Sequence, residues 1–245
     1  MTTGFERIAA MEYPGRLIVL GRTPSGRPAA LYAVTGRSPS SQARALVRQG
    51  SGIWTKPTDE DVLKTGNPEL LVYPAALFFA GGIAVSNGRQ TEDCAGRAVP
   101  GETSGEFLVR ALSGWEYEPD APIYTPRISG CLRAEGGAAF HIVRRAEDGA
   151  ASRFVYDLPL DPGRGRMIAT YAGPNRTPLP TWDGPPTEVE LRADDPEGLA
   201  GALYDALAPV PGSADFRVAA AAAVAGDDGY GSVAAAIVNR HERKD

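Results

Sequence analysis

Cysteine and histidine are scarce in this chain of 245 residues, which has two of each: Cys94, Cys131, His141 and His241. Two cysteines are too few for a disulfide framework. Together with two histidines they cannot form a zinc cluster or a metalloprotease motif, so the sequence predicts no metal site. Because unpaired cysteine is commonly buried, we expect both thiols in the core. We also expect His141, which lies inside an apolar run, to be a packed strand residue.

Long apolar runs and an excess of positive charge are also missing. The longest apolar stretch, residues 70–85, is interrupted by Pro74, Gly81 and Gly82, and it is too short to span a bilayer. The N-terminus has no apolar signal-peptide core. The net charge of -5 argues against a non-specific nucleic-acid-binding protein, which would be basic. These absences predict a cytoplasmic protein with neither a membrane nor a nucleic acid as partner.

The signatures of several enzyme classes are absent as well. No glycine-rich loop ends in Lys-Ser or Lys-Thr, and no Gly-x-Ser-x-Gly elbow occurs. Lysine is confined to Lys56, Lys64 and Lys244, so nearly all of the 25 basic residues are arginine. The forked guanidinium group of arginine suits carboxylate and phosphate ligands.

Short β-type runs separated by turn residues dominate what is present. The runs at 15–22 and 29–34, around a Thr-Pro-Ser-Gly turn, predict a first hairpin. The tail is ambiguous, because its alanine-rich run at 218–225 favours a helix by propensity. The turn residues at 227–231 and the apolar run after them favour a closing hairpin, which is our preferred interpretation.

Three segments have helical signals instead, at 91–99, 104–112 and 196–208. Strands grouped in hairpins, rather than alternating with helices, predict an α+β fold in which helices pack outside antiparallel sheets. The simplest account is one domain over residues 1–245, with residues 1–13 as an N-terminal extension.

Polar residues stand at the ends of several predicted strands. The loop at 36–44 contains Arg37, Ser38 and Arg44, whose donors suit an anion such as phosphate. A solvated surface loop is the alternative. The other candidates of this kind are Tyr73, Ser86, Asn87, Gly88, Arg89, Thr125, Arg127 and Tyr171. Each fits a turn or the core by itself, but as a set they suit a small anionic ligand with polar ring edges.

Several short motifs resemble, in order, those of the archaeal-type IMP cyclohydrolases, and in particular the longer bacterial members. They are Tyr13-Pro-Gly-Arg16, Val34-Thr-Gly-Arg37-Ser38, Val85-Ser86-Asn87-Gly88, Tyr124-Thr125-Pro126-Arg127 and Ile168-Ala-Thr170-Tyr171. The resemblance implies a four-layer αββα sandwich of antiparallel sheets, similar to the N-terminal-nucleophile hydrolase fold. It also implies closure of a purine ribotide, formamidoimidazole-carboxamide ribotide, to inosine monophosphate by loss of water, without a cofactor.

The resemblance implies roles for individual residues. Arg44 would bind the formyl oxygen, and Tyr73, which follows Asn67-Pro68 as in the family, would transfer a proton. The acidic residue that the family places just before Thr-Pro-Arg is missing, so Asp120 would have to replace it as the general acid or base, with Glu118 as the alternative. The expected substrate-binding residues are Arg16, Arg37, Ser38, Ser86, Asn87, Gly88, Arg89, Thr125, Arg127 and Tyr171.

Two departures from the family keep alternatives open. The change near Asp120 allows an enzyme of this fold acting on a related ribotide in specialised metabolism, or a purine-nucleotide-binding protein without catalysis. After Ser38 the chain reads Pro-Ser-Ser-Gln-Ala-Arg where the family has Phe-Pro-Asn-Arg, so the register of Arg44 is open by one residue. Strand edges and the apolar hairpin within 70–85 allow a homo-oligomer.

Overall fold

The strands form two antiparallel sheets in a computed structural model that describes residues 4–59, 61, 71–209 and 212–243. The predicted turn at Asn67-Pro68 lies outside these residues. The strands are β1 (Arg16–Arg22), β2 (Pro28–Thr35), β3 (Arg44–Gln49), β4 (Gly52–Pro57), β5 (Tyr73–Phe79), β6 (Gly82–Ser86), β7 (Arg127–Arg133), β8 (Gly137–Arg145), β9 (Ala151–Leu158), β10 (Arg164–Ala169), β11 (Thr187–Glu190), β12 (Arg217–Gly226) and β13 (Gly229–Asn239). The six-stranded sheet has the order β11-β10-β1-β2-β12-β13, and the seven-stranded sheet runs from β3 to β9 in chain order.

The helices of the described residues are short and few. They are α1 (Glu6–Ala9), α2 (Pro39–Gln42), α3 (Thr91–Cys94), α4 (Ser104–Ala111) and α5 (Pro196–Ala206), followed by a 3-10 turn at Arg240–Glu242. The helices predicted at 104–112 and 196–208 are confirmed to within a turn, whereas the one predicted at 91–99 ends at Cys94. None of the described helices combines the length and apolar character needed to cross a membrane.

The two sheets face each other across the main hydrophobic core. Ile18 and Tyr32 of the first sheet meet Leu46, Ile83 and Phe140 of the second in one buried cluster. Because successive strand residues point to opposite faces, every second residue of β1 and β2 enters this core. The space between the sheets is therefore where a buried site can form.

Helices cover the outer face of each sheet. Leu199 and Leu203 of α5 pack on the six-stranded sheet. Phe107 of α4 packs on the seven-stranded sheet, in the cluster that contains Cys94 and Cys131. Both thiols and His141 are buried, as the sequence predicts. The arrangement is mostly β with few helices and is consistent with the expected α+β sandwich.

The alanine-rich tail forms the closing hairpin. In β12 and β13, Ala221 lies opposite Ile237, and on its other side β12 pairs with β2, where Ala221 lies opposite Tyr32. Nearly all of β12 is buried. Pairing and burial on both sides override the helix propensity of alanine, because strand preference depends mainly on context.

Candidate active site

Two arginines enter the space between the sheets at the first residue of their strands. Arg16 opens β1 and Arg44 opens β3, each two residues before a core residue, Ile18 or Leu46. Since strand residues two apart share a face, both side chains are directed between the sheets. Arg44 is only 3% exposed. The fold therefore buries a cation at this end of the sandwich.

Two tyrosine hydroxyls lie beside these arginines. Tyr73 Oη is 3.5 Å from Arg16 Nε and 3.0 Å from Tyr32 Oη, and both rings are buried. Burial, helped by the neighbouring Tyr73, raises the pKa of Tyr32 well above its usual value. The hydroxyl of Tyr32 therefore keeps its proton at neutral pH. We call Arg16, Tyr32, Arg44 and Tyr73 the arginine–tyrosine cluster.

Arg44 has an unused hydrogen-bond donor. Its Nε donates to the carbonyl of Ser41 at 2.9 Å, but its buried Nη2 has no partner within the described part of the chain. Burial and the positive charge of Arg16 lower the pKa of Arg44 to about 10. A buried donor left unpaired costs ~1–3 kcal/mol, so the position favours a ligand that brings an acceptor or a negative charge.

Glu118 supplies a buried carboxyl group to the same region. It is 7% exposed, and its Oε1 lies 3.6 Å from Arg127 Nη1. Burial raises the pKa of Glu118 although the positive charges of Arg16, Arg127 and Arg44 act in the opposite direction. A carboxyl group with a raised pKa beside fixed cations is suited to proton transfer.

Asp120 is occupied by bonds to the backbone and side chain of Thr125. Its Oδ1 accepts a hydrogen bond from Thr125 N at 2.7 Å, and its Oδ2 accepts one from Thr125 Oγ1 at 2.5 Å. Thr125 Oγ1 also lies 3.1 Å from the hydroxyl of Tyr171, whose pKa burial raises to about 12. These bonds fix the turn before β7, so the geometry favours Glu118 over Asp120 for proton transfer.

The backbone just before β1 packs closely against the ring of Tyr171. Gly15, just before Arg16, has a φ of +74°, and a Cβ there would lie 2.6 Å from Cδ2 of the Tyr171 ring. Only glycine accepts both the left-handed conformation and the close approach. Gly15 thus lets Arg16 begin its strand directly against that ring.

The side chains of the predicted Ser-Asn-Gly motif bind backbone groups of the protein. Asn87 Nδ2 donates to the carbonyl of Pro126 at 2.7 Å, and its Oδ1 accepts from Ile128 N at 2.9 Å. Ser86 Oγ donates to the carbonyl of Gly88 at 2.9 Å. These bonds fix the chain on both sides of residue 127, so the motif holds the site in place.

Replacement of Asn87 by alanine should lower the free energy of unfolding by about 2–4 kcal/mol, because it leaves the buried backbone groups of Pro126 and Ile128 without partners. Urea denaturation measures the change. Asn175→Ala is the control: it removes an exposed amide that accepts from Arg37 and should alter stability by no more than ~0.5 kcal/mol. Unchanged stability with weaker ligand binding in Asn87→Ala would instead make Asn87 a ligand contact.

The loop that the sequence singled out for an anion is tied down by local bonds. Ser38 caps α2 by accepting from Ser41 N at 3.2 Å. Arg37 is exposed, donates to Asn175 Oδ1 at 3.1 Å and lies over the Tyr13 ring at 5.1 Å. Of this loop, only Arg44 belongs to the arginine–tyrosine cluster.

Arg127 borders the cluster, whereas Arg89 is exposed. Arg127 Nε donates to the carbonyl of Glu116 at 2.8 Å, and its Nη1 donates to Gln90 Oε1 at 3.2 Å. These bonds hold the guanidinium group beside Glu118. Within the described residues, no group of three or more His, Cys, Asp or Glu side chains is arranged to hold a metal ion.

Tyr32 is the cluster member that sequence reasoning missed. It lies inside an apolar run, where a tyrosine is usually an ordinary core residue. The signal that could have found it is register: Tyr32 pairs with Ile18 and so shares the inward face that Arg16 uses. A tyrosine hydroxyl on that buried face needs a hydrogen-bond partner in the core, and the hydroxyl of Tyr73 provides it.

Comparison with known proteins places the chain in a family. Residues 13–229 match the model of a family described as IMP cyclohydrolase-like protein. The chain belongs to this family. It is also 31% identical over 159 residues, which is 65% of this chain and 75% of the relative, to the IMP cyclohydrolase of Methanopyrus kandleri. The family resemblance drawn from the short motifs is confirmed.

Proposed function

We propose that this protein is an IMP cyclohydrolase of purine biosynthesis, which closes formamidoimidazole-carboxamide ribotide to inosine monophosphate and water. The observation that carries the proposal is the unpaired, buried Nη2 of Arg44 in a cluster electrostatically coupled to the buried Glu118. Burying charged groups costs free energy unless they are paired. The buried charges of this site are therefore explained if a ligand pairs with them. The proposed reaction uses no cofactor, and the cytoplasm as its location stays a prediction.

The reaction forms one carbon–nitrogen bond and releases one water. The carboxamide nitrogen attacks the formyl carbon, and the resulting carbinolamine loses its hydroxyl group together with a proton. Because both reacting groups belong to one molecule, a pocket that holds the two arms together supplies much of the rate enhancement. The protein then has to take up a proton, stabilise an oxyanion and return a proton.

Three residues divide these tasks in the proposed mechanism. The carboxylate of Glu118 takes a proton from the carboxamide nitrogen as it attacks. Arg44 donates to the formyl oxygen as negative charge develops there. The protonated Glu118 returns its proton to the alkoxide, which gives the carbinolamine. The hydroxyl of Tyr73 then protonates the leaving hydroxyl group and recovers a proton from the ring nitrogen as the carbon–nitrogen double bond forms. Its contacts with Arg16 and Tyr32 orient it for that transfer.

The fold supports this assignment. Helices on the outer faces of both sheets are what the proposed four-layer αββα sandwich requires. In this arrangement the two sheets, each backed by a helix, wall the inter-sheet space. A substrate would therefore enter at the strand ends that carry Arg16, Arg44 and Tyr73.

Spectrophotometric turnover of the formylated ribotide by the purified protein tests the proposal. Inosine monophosphate should form well above the uncatalysed rate, and Tyr73→Phe should lower kcat by roughly 100-fold through loss of the proton donor. Tyr32→Phe is the matched control, since it removes a neighbouring hydroxyl but leaves Tyr73, and it should cost much less. Saturable binding of inosine monophosphate without turnover would instead indicate a non-catalytic nucleotide-binding protein.

A further inference from the structure

A pocket of about 430 Å³ adjoins the arginine–tyrosine cluster and shares Arg44 with it. We call it the basic pocket, because arginines from separate elements line it. Its principal residues are Arg44, Tyr204, Asp215, Arg217, Arg240 and Arg243. They come from the starts of β3 and β12, from α5 and from the turn after β13. Residues far apart in the chain thus converge on one concave surface.

The guanidinium groups of the basic pocket are held in place. The ring of Tyr204 has Arg217 and Arg243 over it, each 4.8 Å from the ring centroid. Arg217 Nη2 bonds Asp215 Oδ2 at 2.7 Å, and Arg240 Nη1 donates to the carbonyl of Asp215 at 3.2 Å. Donors fixed in this way lose little further freedom when an anion binds.

Positive charge in the basic pocket is only partly balanced. Asp215 pairs with Arg217, and Asp205 pairs with Arg243 at 2.7 Å. Partial burial opposes ionisation of Asp215, but hydrogen bonds from Arg217 prevail and lower its pKa, so this pair stays ionic at neutral pH. Within the described chain, Arg44 and Arg240 have no carboxylate ion pair.

The third carboxylate nearby, Glu242, pairs with His241, which also lines the pocket. Glu242 lies 3.5 Å from His241 Nε2 and accepts from Asn239 Nδ2 at 3.3 Å. Arg44 and Arg240 have no carboxylate partner among the described residues, whereas Arg217 and Arg243 each have one. This excess of positive charge suits a compact oxyanion that carries more than one negative charge. Arginine forks match the oxygen geometry of phosphate.

We propose that the basic pocket binds the phosphate group of a phosphate monoester, with Arg240 as the direct donor. The phosphate could belong to the reacting ribotide, in which case the inference rests on the proposed function. It could equally belong to a second phosphate ester bound beside the reacting molecule. In both cases Arg44 joins the phosphate site to the arginine–tyrosine cluster.

Calorimetric titration with inorganic phosphate at low ionic strength tests the site without any turnover. Wild-type protein should bind phosphate saturably in the millimolar range or tighter, and Arg240→Gln should raise Kd by about tenfold or more. The variant should fold normally, because Arg240 is exposed. Arg164→Gln is the control: it removes an exposed arginine at the start of β10, which lies beside the end of β1 that is remote from Arg16, and it should leave Kd unchanged.

A second titration distinguishes the two sources of phosphate. It repeats the phosphate titration with inosine monophosphate at a concentration shown to saturate the protein. Lost phosphate binding would assign the pocket to the phosphate of the nucleotide, and retained binding would assign it to a separate phosphate ester.

The absence of saturable phosphate binding in the wild type, or equal Kd values for wild type and Arg240→Gln, would overturn the proposal. An inactive protein that still shows the Arg240 effect would refute the proposed function alone.

Discussion

Glu118→Gln should lower kcat for inosine monophosphate formation by about 100- to 1,000-fold, the range for loss of a positioned general base. Glutamine has almost the same shape, and its amide oxygen can lie beside Arg127 as the carboxylate does, but it cannot take up a proton. Steady-state kinetics measure the change. Thermal unfolding shows whether the variant is folded.

The pH dependence gives an independent test of the same role. Burial raises the pKa of Glu118, so a base at this position is already protonated at a pH where an exposed glutamate is not. In the wild type, kcat/KM should fall as pH decreases through this raised pKa. In Glu118→Gln that fall should be absent.

The raised pKa of Glu118 also determines whether Glu118→Gln stabilises or destabilises the folded protein. Because the pKa of Glu118 is higher in the folded chain than in the unfolded chain, its contribution is fully present at pH values below the unfolded pKa and is lost as pH rises through the folded pKa. At neutral pH, Glu118→Gln should therefore be at least as stable as the wild type. A variant that is both inactive and unfolded would contradict this assignment.

Asp120→Asn is the matched control for Glu118→Gln. Asparagine can still accept from Thr125 through its amide oxygen, so kcat should change by less than about tenfold. The reverse result, with Asp120→Asn inactive and Glu118→Gln active, would make Asp120 the acid or base that the sequence first suggested.

The sheets could be predicted from the sequence because their signals are local. Turn residues between apolar runs predict the hairpin of β1 and β2, and the turn at 227–231 decides between hairpin and helix for the tail. The structure confirms both hairpins. The helix predicted at 91–99 is too long because its N-terminal signals say nothing about where tertiary packing ends it.

The site could be predicted only in part, because the contacts and charges that define it come from segments far apart in the sequence. Arg44 and Tyr73 were named from the family motifs, but their partners Tyr32 and Arg16 lie on the other sheet. The pKa of Glu118 depends on burial by segments remote in the chain. By contrast, Asn87 fits the family motif and yet binds the backbone of Pro126 and Ile128, which a motif cannot reveal.

Arg44→Gln should lower kcat/KM by at least about 100-fold, as expected when a donor to a developing oxyanion is removed. Glutamine has no cationic fork for the formyl oxygen, although its amide can approach the same space. Kinetics with the formylated ribotide measure the loss. Arg44→Lys, which keeps the charge but not the fork, should recover part of the activity.

The stability of the Arg44→Gln variant, unlike its activity, should not decrease. Burial and Arg16 lower the pKa of Arg44 to about 10, below that of an arginine in the unfolded chain, so folding disfavours its charged form throughout the neutral range. Removing the charge in Arg44→Gln should leave the free energy of unfolding unchanged or raise it. An active Arg44→Gln variant would exclude the oxyanion role, and an inactive but destabilised one would make Arg44 a structural residue. Activity lost while stability is kept is the result expected if this cation is retained in the fold for its ligand.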